Sequence, residues 1–234
     1  MAEGGALAPA ILHHDTHLFI VAKPAGMPTT SPASGRPCLV DWAKSELSGH
    51  PFIHPTSRLD APVTGVVTFA LTRLANEHLR EARNANTYSR EYFGVTVAPV
   101  SFEQATWDWP IAIDPQDKRL RVAGSGRGQK DACSVCTVAE RGAAGTLLCL
   151  VPKTGRTHQL RVHASRAGVP LFGDHAYGGA RRCVLQTGEV VPAPRVMLHC
   201  SSVGFPGVDG GTVRIEAPLP EDFSQTWGRL LGEV

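Results

Sequence analysis

An apolar run that follows a turn rich in Pro and Gly constrains this chain more than any other feature. Residues 57–72 read SRLDAPVTGVVTFALT, in which Pro62 and Gly65 mark the turn and mostly β-branched, aromatic or aliphatic residues follow. Such a composition predicts a buried strand. Asp60 then lies on the loop that feeds this strand, where a rigid scaffold can present a functional carboxylate. An Asp beside Pro and Gly more often serves only to stabilise a turn.

A second stretch favours a functional Asp60. Residues 152–179 read PKTGRTHQLRVHASRAGVPLFGDHAYGG. With Arg-Leu-Asp at 58–60, the segments Gly-Arg-Thr-His-Gln-Leu-Arg-x-His and Gly-Asp-x-x-Tyr-Gly-Gly resemble the signature of the RluA-type pseudouridine synthases. Three further segments fit that family in the same order along the chain: IVAKPAGMPTT at 20–30, SREYFGVT at 89–96 and RVMLHCSSVGFP at 195–206.

The resemblance implies an α+β fold. It predicts a single catalytic domain with a large mixed, mostly antiparallel β-sheet flanked by helices and loops, and an RNA-binding cleft across the sheet. The element pattern agrees, because short strands outnumber scattered helices. We expect a disordered N-terminus over residues 1–10 and the catalytic domain over residues 11–234. Because the motifs begin near Ile11, we expect no S4-type RNA-binding module, which is common in the family.

Local patterns predict several helices. Apolar spacing over residues 39–47 favours a short helix, and Thr72 is typical of a residue that caps a helix, here one running from 73 to about 83. Thr157 is expected to cap a further helix that ends at Ala167. The inward face of the helix after Thr72 is expected to hold Leu74, His78, Leu79 and Ala82.

A loop rich in Gly, Arg and Lys separates two predicted strands in the middle of the chain. It contains GSGRG at residues 124–128, which superficially resembles a dinucleotide-binding loop. The spacing G-x-G-x-x-G is absent, and alternating segments flank the loop on both sides. We therefore expect a flexible hairpin tip.

Bulk properties exclude other classes. The formal net charge is +2, so RNA contact requires local clusters of basic residues. No stretch approaches a membrane span, and MAEGGALAPAILHHD lacks the basic and apolar regions of a signal peptide, so we expect a cytoplasmic protein with reduced thiols. Cys133 and Cys136 form a lone C-x-x-C on a predicted strand, where they would face opposite ways, so we expect no zinc site.

The resemblance also assigns catalytic roles. Pseudouridylation detaches uracil from C1′ of its ribose, rotates it and rejoins it through C5, without a cofactor. Asp60 is the implied catalytic carboxylate, Arg161 its bidentate partner, and Tyr92 the pocket tyrosine that stacks on the base and takes part in proton transfer at C5. Attack at C1′, attack at C6 and elimination to a glycal all remain open. Without the motifs, Arg161 would be read as a surface arginine, whereas Tyr92 would fit a core tyrosine and a functional tyrosine equally well.

Further residues are candidates for RNA contact. A base in folded RNA must be flipped out, and the resemblance implies that Arg58 fills the gap. Ser57 stands where the family usually has His, on the side of the loop expected to face RNA, and Val63 begins a Val-Thr-Gly in place of Thr-Ser-Gly. These departures bear on which RNA is bound. The remaining candidates are the basic residues Arg73, Arg80, Arg83, Arg127 and Lys130, and His158 of the second motif.

Together these features predict an RNA pseudouridine synthase that isomerises one uridine in a tRNA or ribosomal RNA stem-loop. We expect a monomer that uses neither metal nor cofactor and has no membrane association. The alternative is a catalytically inactive RNA-binding or RNA-folding protein on the same scaffold, although such a protein would be free to lose Asp60, Tyr92 or Arg161. A hydrolase has almost no support, because His158 and His163 do not fit H-E-x-x-H and no G-x-S-x-G is present.

Overall fold

A computed structural model describes residues 8–31 and 34–232, which divide into two compact units. Unit 1 contains the described residues up to Arg90 together with Cys200–Pro218. Unit 2 contains Glu91–His199 and the described residues from Leu219 onward. Each unit is therefore assembled from two separate stretches of the chain.

The described residues contain four α-helices and fourteen strands, besides the single 3₁₀ turn His175–Tyr177. The helices are α1 Leu39–Glu46, α2 Arg73–Asn84, α3 Gln159–Arg166 and α4 Glu221–Leu231. The strands are β1 Ala10–His14, β2 Leu18–Lys23, β3 His54–Pro55, β4 Thr64–Ala70, β5 Ser89–Thr96, β6 Gln104–Trp107, β7 Ile111–Ile113, β8 Arg121–Ala123, β9 Ser134–Arg141, β10 Thr146–Pro152, β11 Arg182–Val184, β12 Val190–Pro192, β13 Leu198–Pro206 and β14 Thr212–Glu216. None of the helices in this described part combines the length and the apolar character needed to cross a bilayer.

Unit 1 is built around strand β4. The strand order is β1-β2-β4-β13, with β3 also pairing with β4 and β14 with β13. The β2–β4 pair is antiparallel and runs from Leu18 opposite Ala70 to Lys23 opposite Gly65. Strands pair with β4 along both of its edges, and all seven of its residues are buried. The buried strand predicted after Gly65 is confirmed.

Unit 2 contains a second run of strands in the order β5-β10-β9-β6, in which every neighbouring pair is antiparallel. Two short hairpins, β7–β8 and β11–β12, complete its strands. Helix α4 contributes to the main core of this unit, which contains Val95, Leu147, Phe172, Val191, Met197, Phe223, Trp227 and Leu230.

These observations confirm the α+β class and the large mixed, mostly antiparallel sheet with flanking helices. Strand β1 begins at Ala10 and Pro9 is buried, so residues 9 and 10 are ordered within the range predicted to be disordered. Residues 1–7 of that range lie outside the described residues. The single catalytic domain over residues 11–234 stays a prediction.

The predicted helices α1 and α2 are both present, but one residue of α2 was predicted to face inward and does not. The Thr72 hydroxyl accepts a hydrogen bond from the Ala75 amide at 3.1 Å, which confirms the predicted cap. The inward stripe runs through Ala75, Leu79 and Ala82. Leu74 is 61% exposed, because it lies one residue away from that stripe.

The predicted hairpin tip at GSGRG is wrong. Strands β7 and β8 form their own hairpin earlier in the chain, and the loop after β8 returns to β7. There the Ile113 amide donates to the Arg127 carbonyl at 3.0 Å, and Ile111 and Lys130 exchange two backbone hydrogen bonds of 2.9 Å. These three bonds hold the loop along β7.

The predicted cap of α3 is also wrong. The helix begins after His158, not Thr157, and His158 adopts a left-handed backbone with φ of 57° and makes no capping bond through its side chain. The Gln159 side chain serves the preceding turn instead, where its Oε1 accepts from the Arg156 amide at 2.9 Å.

Gly65→Ala is expected to destabilise the protein severely. Gly65 has φ of +114°, and a Cβ there would lie 2.1 Å from the carbonyl oxygen of Cys200. Left-handed strain and the clash with a backbone atom together cost about 2–5 kcal/mol. Chemical denaturation measures the loss in the free energy of unfolding.

Gly49→Ala is the matched control, because Gly49 has φ of +84° and open space where the added methyl group would lie. This variant bears only the backbone strain, about 1–2 kcal/mol. Equal losses for the two variants would show that the approach of Cys200 to Gly65 is unimportant.

Candidate active site

Asp60 lies in unit 1 on the loop between β3 and β4, and its side chain is half-buried. The residue before it is fixed through both of its backbone groups. The Thr29 hydroxyl donates to the Leu59 carbonyl at 2.9 Å and accepts from the Leu59 amide at 3.0 Å. One side of Asp60 is thus tied to the turn that follows β2.

The other side of Asp60 is tied to the same turn through Lys23. This lysine ends β2, and only 1% of it is exposed. Its ammonium group donates to the carbonyls of Pro24 and Met27, both at 2.8 Å, and of Ala61 at 3.2 Å. The Gly26 amide also donates to the Ala61 carbonyl, at 2.8 Å. Sequence reasoning missed Lys23 and Thr29 as positioning residues, although both belong to the segment IVAKPAGMPTT that supported the resemblance.

The two residues that open this loop have different environments. Arg58 is exposed, as a residue that inserts into RNA must be. Ser57 is buried, and its hydroxyl accepts from the Thr68 amide of β4 at 3.2 Å. The expectation that Ser57 lies on the RNA-facing side of the loop is therefore wrong, because its side chain satisfies a strand amide inside unit 1.

Arg161 and Tyr92 both lie in unit 2 and are buried. Tyr92 is on β5, opposite Leu150 of β10. Arg161 is on α3 and donates from Nε and Nη2 to the two carboxylate oxygens of Asp174, both at 2.7 Å. Asp174, in the Gly-Asp-x-x-Tyr-Gly-Gly motif, is fully buried and was not among the predicted site residues. The predicted pairing of Arg161 with Asp60 stays a prediction.

An aromatic ring holds the other side of this arginine. The guanidinium carbon of Arg161 lies 4.8 Å from the centre of the Tyr177 ring. The Tyr177 hydroxyl accepts from the Arg121 amide at 3.0 Å and lies 2.6 Å from Nδ1 of His158. His158, a predicted RNA contact, is half-buried. Through its contact with the Tyr177 hydroxyl it belongs to the network that orients Arg161.

Two other side chains of the motif connect α3 to β9. His163 is fully buried; its Nε2–H donates to the Trp109 carbonyl at 2.9 Å, so Nδ1 accepts from the Ser134 hydroxyl at 3.0 Å. Gln159 donates to the same hydroxyl at 2.9 Å. Burial lowers the pKa of His163, although the Trp109 carbonyl and the charge of Asp108 oppose the shift. These residues support the site without being predicted members of it.

The basic residues predicted to contact RNA differ in environment. Arg73 and Arg80 are exposed on α2, but Arg80 forms an ion pair with Glu77, which raises the pKa of Arg80. Arg83, near the end of α2, is half-buried. Arg127 and Lys130 are exposed in unit 2, on the loop held along β7.

Burial raises the pKa of the Cys136, Cys149 and Cys183 thiols and so disfavours their thiolate forms. For Cys136 the pKa rises to about 12, and no disulfide joins any of the six cysteines, all of which lie within the described residues. Across residues 8–31 and 34–232, no group of three or more His, Cys, Asp or Glu side chains is arranged to hold a metal ion.

Comparisons with known proteins agree with one another. A family model described as RNA pseudouridylate synthase matches residues 17–166. Ribosomal large subunit pseudouridine synthase D of Xanthomonas campestris pv. campestris is 33% identical over 231 residues, which covers 94% of this chain and 69% of that protein. The protein of the same name from Xylella fastidiosa is 34% identical with the same coverage. The solved structure of human RNA Pseudouridylate Synthase Domain Containing 4 has a TM-score of 0.73 at 24% identity, covering 94% of this chain and 92% of that one, and so shares the fold.

Asp174→Asn is expected to lower the free energy of unfolding by about 3 kcal/mol, because buried Arg161 loses the carboxylate that it contacts bidentately. Urea denaturation measures the effect. Asp117→Asn removes a carboxylate from the exposed pair with Arg119 and is expected to cost much less. Similar losses for both variants would contradict a stabilising role for the buried pair.

The burial of His163 predicts a dependence of stability on pH. Its folded pKa lies below the unfolded value of about 6.5, so both states are neutral above that pH. As the pH falls below about 6.5, the unfolded chain takes up the proton first and the protein loses stability. His163→Gln is expected to remove this component of the loss between about pH 7.5 and about pH 5. An unchanged pH dependence in denaturation experiments would refute the assignment.

Proposed function

The chain belongs to the RNA pseudouridylate synthase family, and we propose that Asp60 is the carboxylate on which its reaction depends. The protein is an RNA pseudouridine synthase, an isomerase whose partner is RNA. Breaking a C–N glycosidic bond and forming a C–C bond requires a carboxylate that attacks carbon or stabilises an oxocarbenium-like species. A group that removes the C5 proton is also required.

The anchoring of the Asp60 loop carries this proposal. Thr29 fixes Leu59, and Lys23 and Gly26 fix Ala61, so the backbone on both sides of Asp60 is held by the same turn. Catalytic groups must be held within about 0.5 Å of the productive geometry. An aspartate that only stabilised its own turn would not require two buried side chains, Lys23 and Thr29, to fix the residues on either side of it.

We assign Arg161 as the cation that keeps Asp60 ionised and Tyr92 as the residue that stacks on the base and acts at C5. The support for Arg161 is its fixed plane, since Asp174 contacts one edge and Tyr177 one face. A guanidinium that is already oriented does not have to reorganise when charge develops nearby. The support for Tyr92 is its place on β5, where the buried ring is held by the strand and is available in a fixed orientation.

The proposed substrate is a uridine in ribosomal RNA. The names of the two bacterial relatives specify the large ribosomal subunit, which favours ribosomal RNA over tRNA. Arg58 is proposed to displace the target base, with Arg73, Arg127 and Lys130 on phosphates and His158 close to the RNA. Arg80 is expected to contribute little, because Glu77 already neutralises it. A monomer acting in the cytoplasm completes the proposal.

Asp60→Asn is expected to abolish product formation while preserving the fold and RNA binding, because an amide neither attacks carbon nor carries the charge. Pseudouridines are mapped in ribosomal RNA and tRNA from cells that lack the gene and carry either wild type or the variant. We expect one uridine of ribosomal RNA to be modified only with wild type. Asp114→Asn is the control, because Asp114 is a half-buried turn aspartate that accepts from the Gln116 amide at 2.7 Å.

Each other outcome has a distinct meaning. Turnover of Asp60→Asn within about tenfold of wild type would refute the catalytic assignment. If a tRNA uridine, and no ribosomal RNA uridine, is modified only with wild type, the substrate is tRNA. RNA binding by the wild type without any change in the pseudouridine map would favour the inactive RNA-folding protein.

A further inference from the structure

Trp109 is a half-buried tryptophan of unit 2, on the loop between β6 and β7. Its carbonyl accepts from Nε2–H of the buried His163 at 2.9 Å. The rings of these two residues also meet edge to face, with centres 6.1 Å apart and planes at 81°. The next residue is fixed as well, because the Pro110 carbonyl accepts from the Gly124 amide at 2.7 Å. The indole is thus carried to the surface by a backbone that hydrogen bonds hold in place.

Arg166, the last residue of α3, lies over this indole. Its guanidinium carbon is 5.8 Å from the centre of the Trp109 ring, and the residue is exposed. The guanidinium forms no ion pair and no hydrogen bond with any residue that the structure describes. Contact with an aromatic ring orients the planar cation and leaves its N–H donors available to a ligand.

The last helix of the chain shows the contrast. Arg229 is also exposed in the last turn of a helix, but it donates to the Glu189 carboxylate at 2.9 Å and to the Val190 carbonyl at 3.0 Å. The indole N–H of Trp227 likewise donates to the Glu140 carboxylate at 3.0 Å. In the described part of the chain, neither the guanidinium of Arg166 nor the indole N–H of Trp109 has such an acceptor.

We propose that Trp109 and Arg166 form a platform for one unpaired nucleotide of the RNA substrate. The base stacks against the ring, and the guanidinium donates to a phosphate oxygen of the same strand. Every base has an aromatic face and every nucleotide a phosphate, so this pair of contacts binds single-stranded RNA with little dependence on sequence. The platform rests on the proposed function and deepens it, because it specifies how unit 2 holds a nucleotide other than the target uridine.

Two substitutions separate the two contacts. Trp109→Ala removes the ring but keeps the carbonyl that His163 contacts. Its affinity for single-stranded oligouridine is expected to fall at least about fivefold, with an unchanged slope of log affinity against log salt, because stacking releases no counterions. Its affinity for a fully paired RNA duplex, which offers no free base, is expected to stay close to that of wild type. Arg166→Gln is instead expected to flatten the salt slope for oligouridine by about 0.7.

Trp42→Ala and Arg229→Gln are the matched controls. Trp42 is a half-buried tryptophan of α1 in unit 1, and Arg229 is already paired with Glu189. Both variants are expected to bind oligouridine as wild type does. Affinities of Trp109→Ala and wild type that agree within about twofold overturn the platform. An unchanged salt slope for Arg166→Gln also overturns it.

A measurement on wild type does not depend on how the alanine variant folds. Oligouridine is expected to shift the indole Nε1–H resonance of Trp109, which is assigned by its loss in Trp109→Phe. The corresponding resonance of Trp227 is expected to stay in place, because that N–H already contacts Glu140. An unshifted Trp109 resonance overturns the platform.

Pseudouridine formation by wild type distinguishes the platform from the proposed function. If wild type forms pseudouridine while Trp109 fails both the affinity and the resonance tests, only the platform is wrong. If wild type forms none, the proposed function itself fails.

Discussion

The position of the candidate carboxylate depends on one buried cation, the ammonium group of Lys23. A charge inside a protein is costly unless hydrogen-bond acceptors surround it, and three carbonyls accept from this one. Two of those carbonyls belong to the turn after β2 and the third belongs to the residue after Asp60. The compact, three-donor ammonium suits this arrangement, whereas a planar guanidinium does not. Within unit 1, the lysine therefore joins the turn and the Asp60 loop into one rigid body.

The motif at residues 152–179 combines scaffold and site in the same helix. Gln159 donates to the Cys133 carbonyl and the Ser134 hydroxyl, and His163 accepts from that hydroxyl, so both residues attach α3 to the start of β9. Arg161, which lies between them, is oriented by Asp174 and Tyr177 from the end of the motif. The polar residues of this motif thus have two different roles. Gln159 and His163 hold the helix in place, and Arg161 is the candidate site residue that the helix carries.

Local pattern was sufficient where one physical signal dominated. The apolar run after Gly65 predicted β4, and Thr72 before an amphipathic segment predicted α2. Local pattern failed where contacts between residues distant in the chain determine the structure. The loop after β8 is held by β7, and Ser57 turns inward because β4 leaves the Thr68 amide to be satisfied. Asp174 could have been found from its motif, but its pairing with Arg161 depends on a helix and a loop that only the fold brings together.

The division of the chain between the units has a consequence for how the protein is made. Strand β4 is synthesised before unit 2, whereas its neighbour β13, whose Cys200 carbonyl lies against Gly65, is completed only after Glu91–His199 has been made. While almost all of unit 2 is synthesised, part of one edge of β4 is therefore uncovered, because β3 pairs only with Phe69 and Ala70. Such long-range pairing slows folding and exposes a strand edge to other chains. The uncovered edge of β4 can thus pair with other chains until β13 has been made, and the protein needs protection from aggregation during that interval.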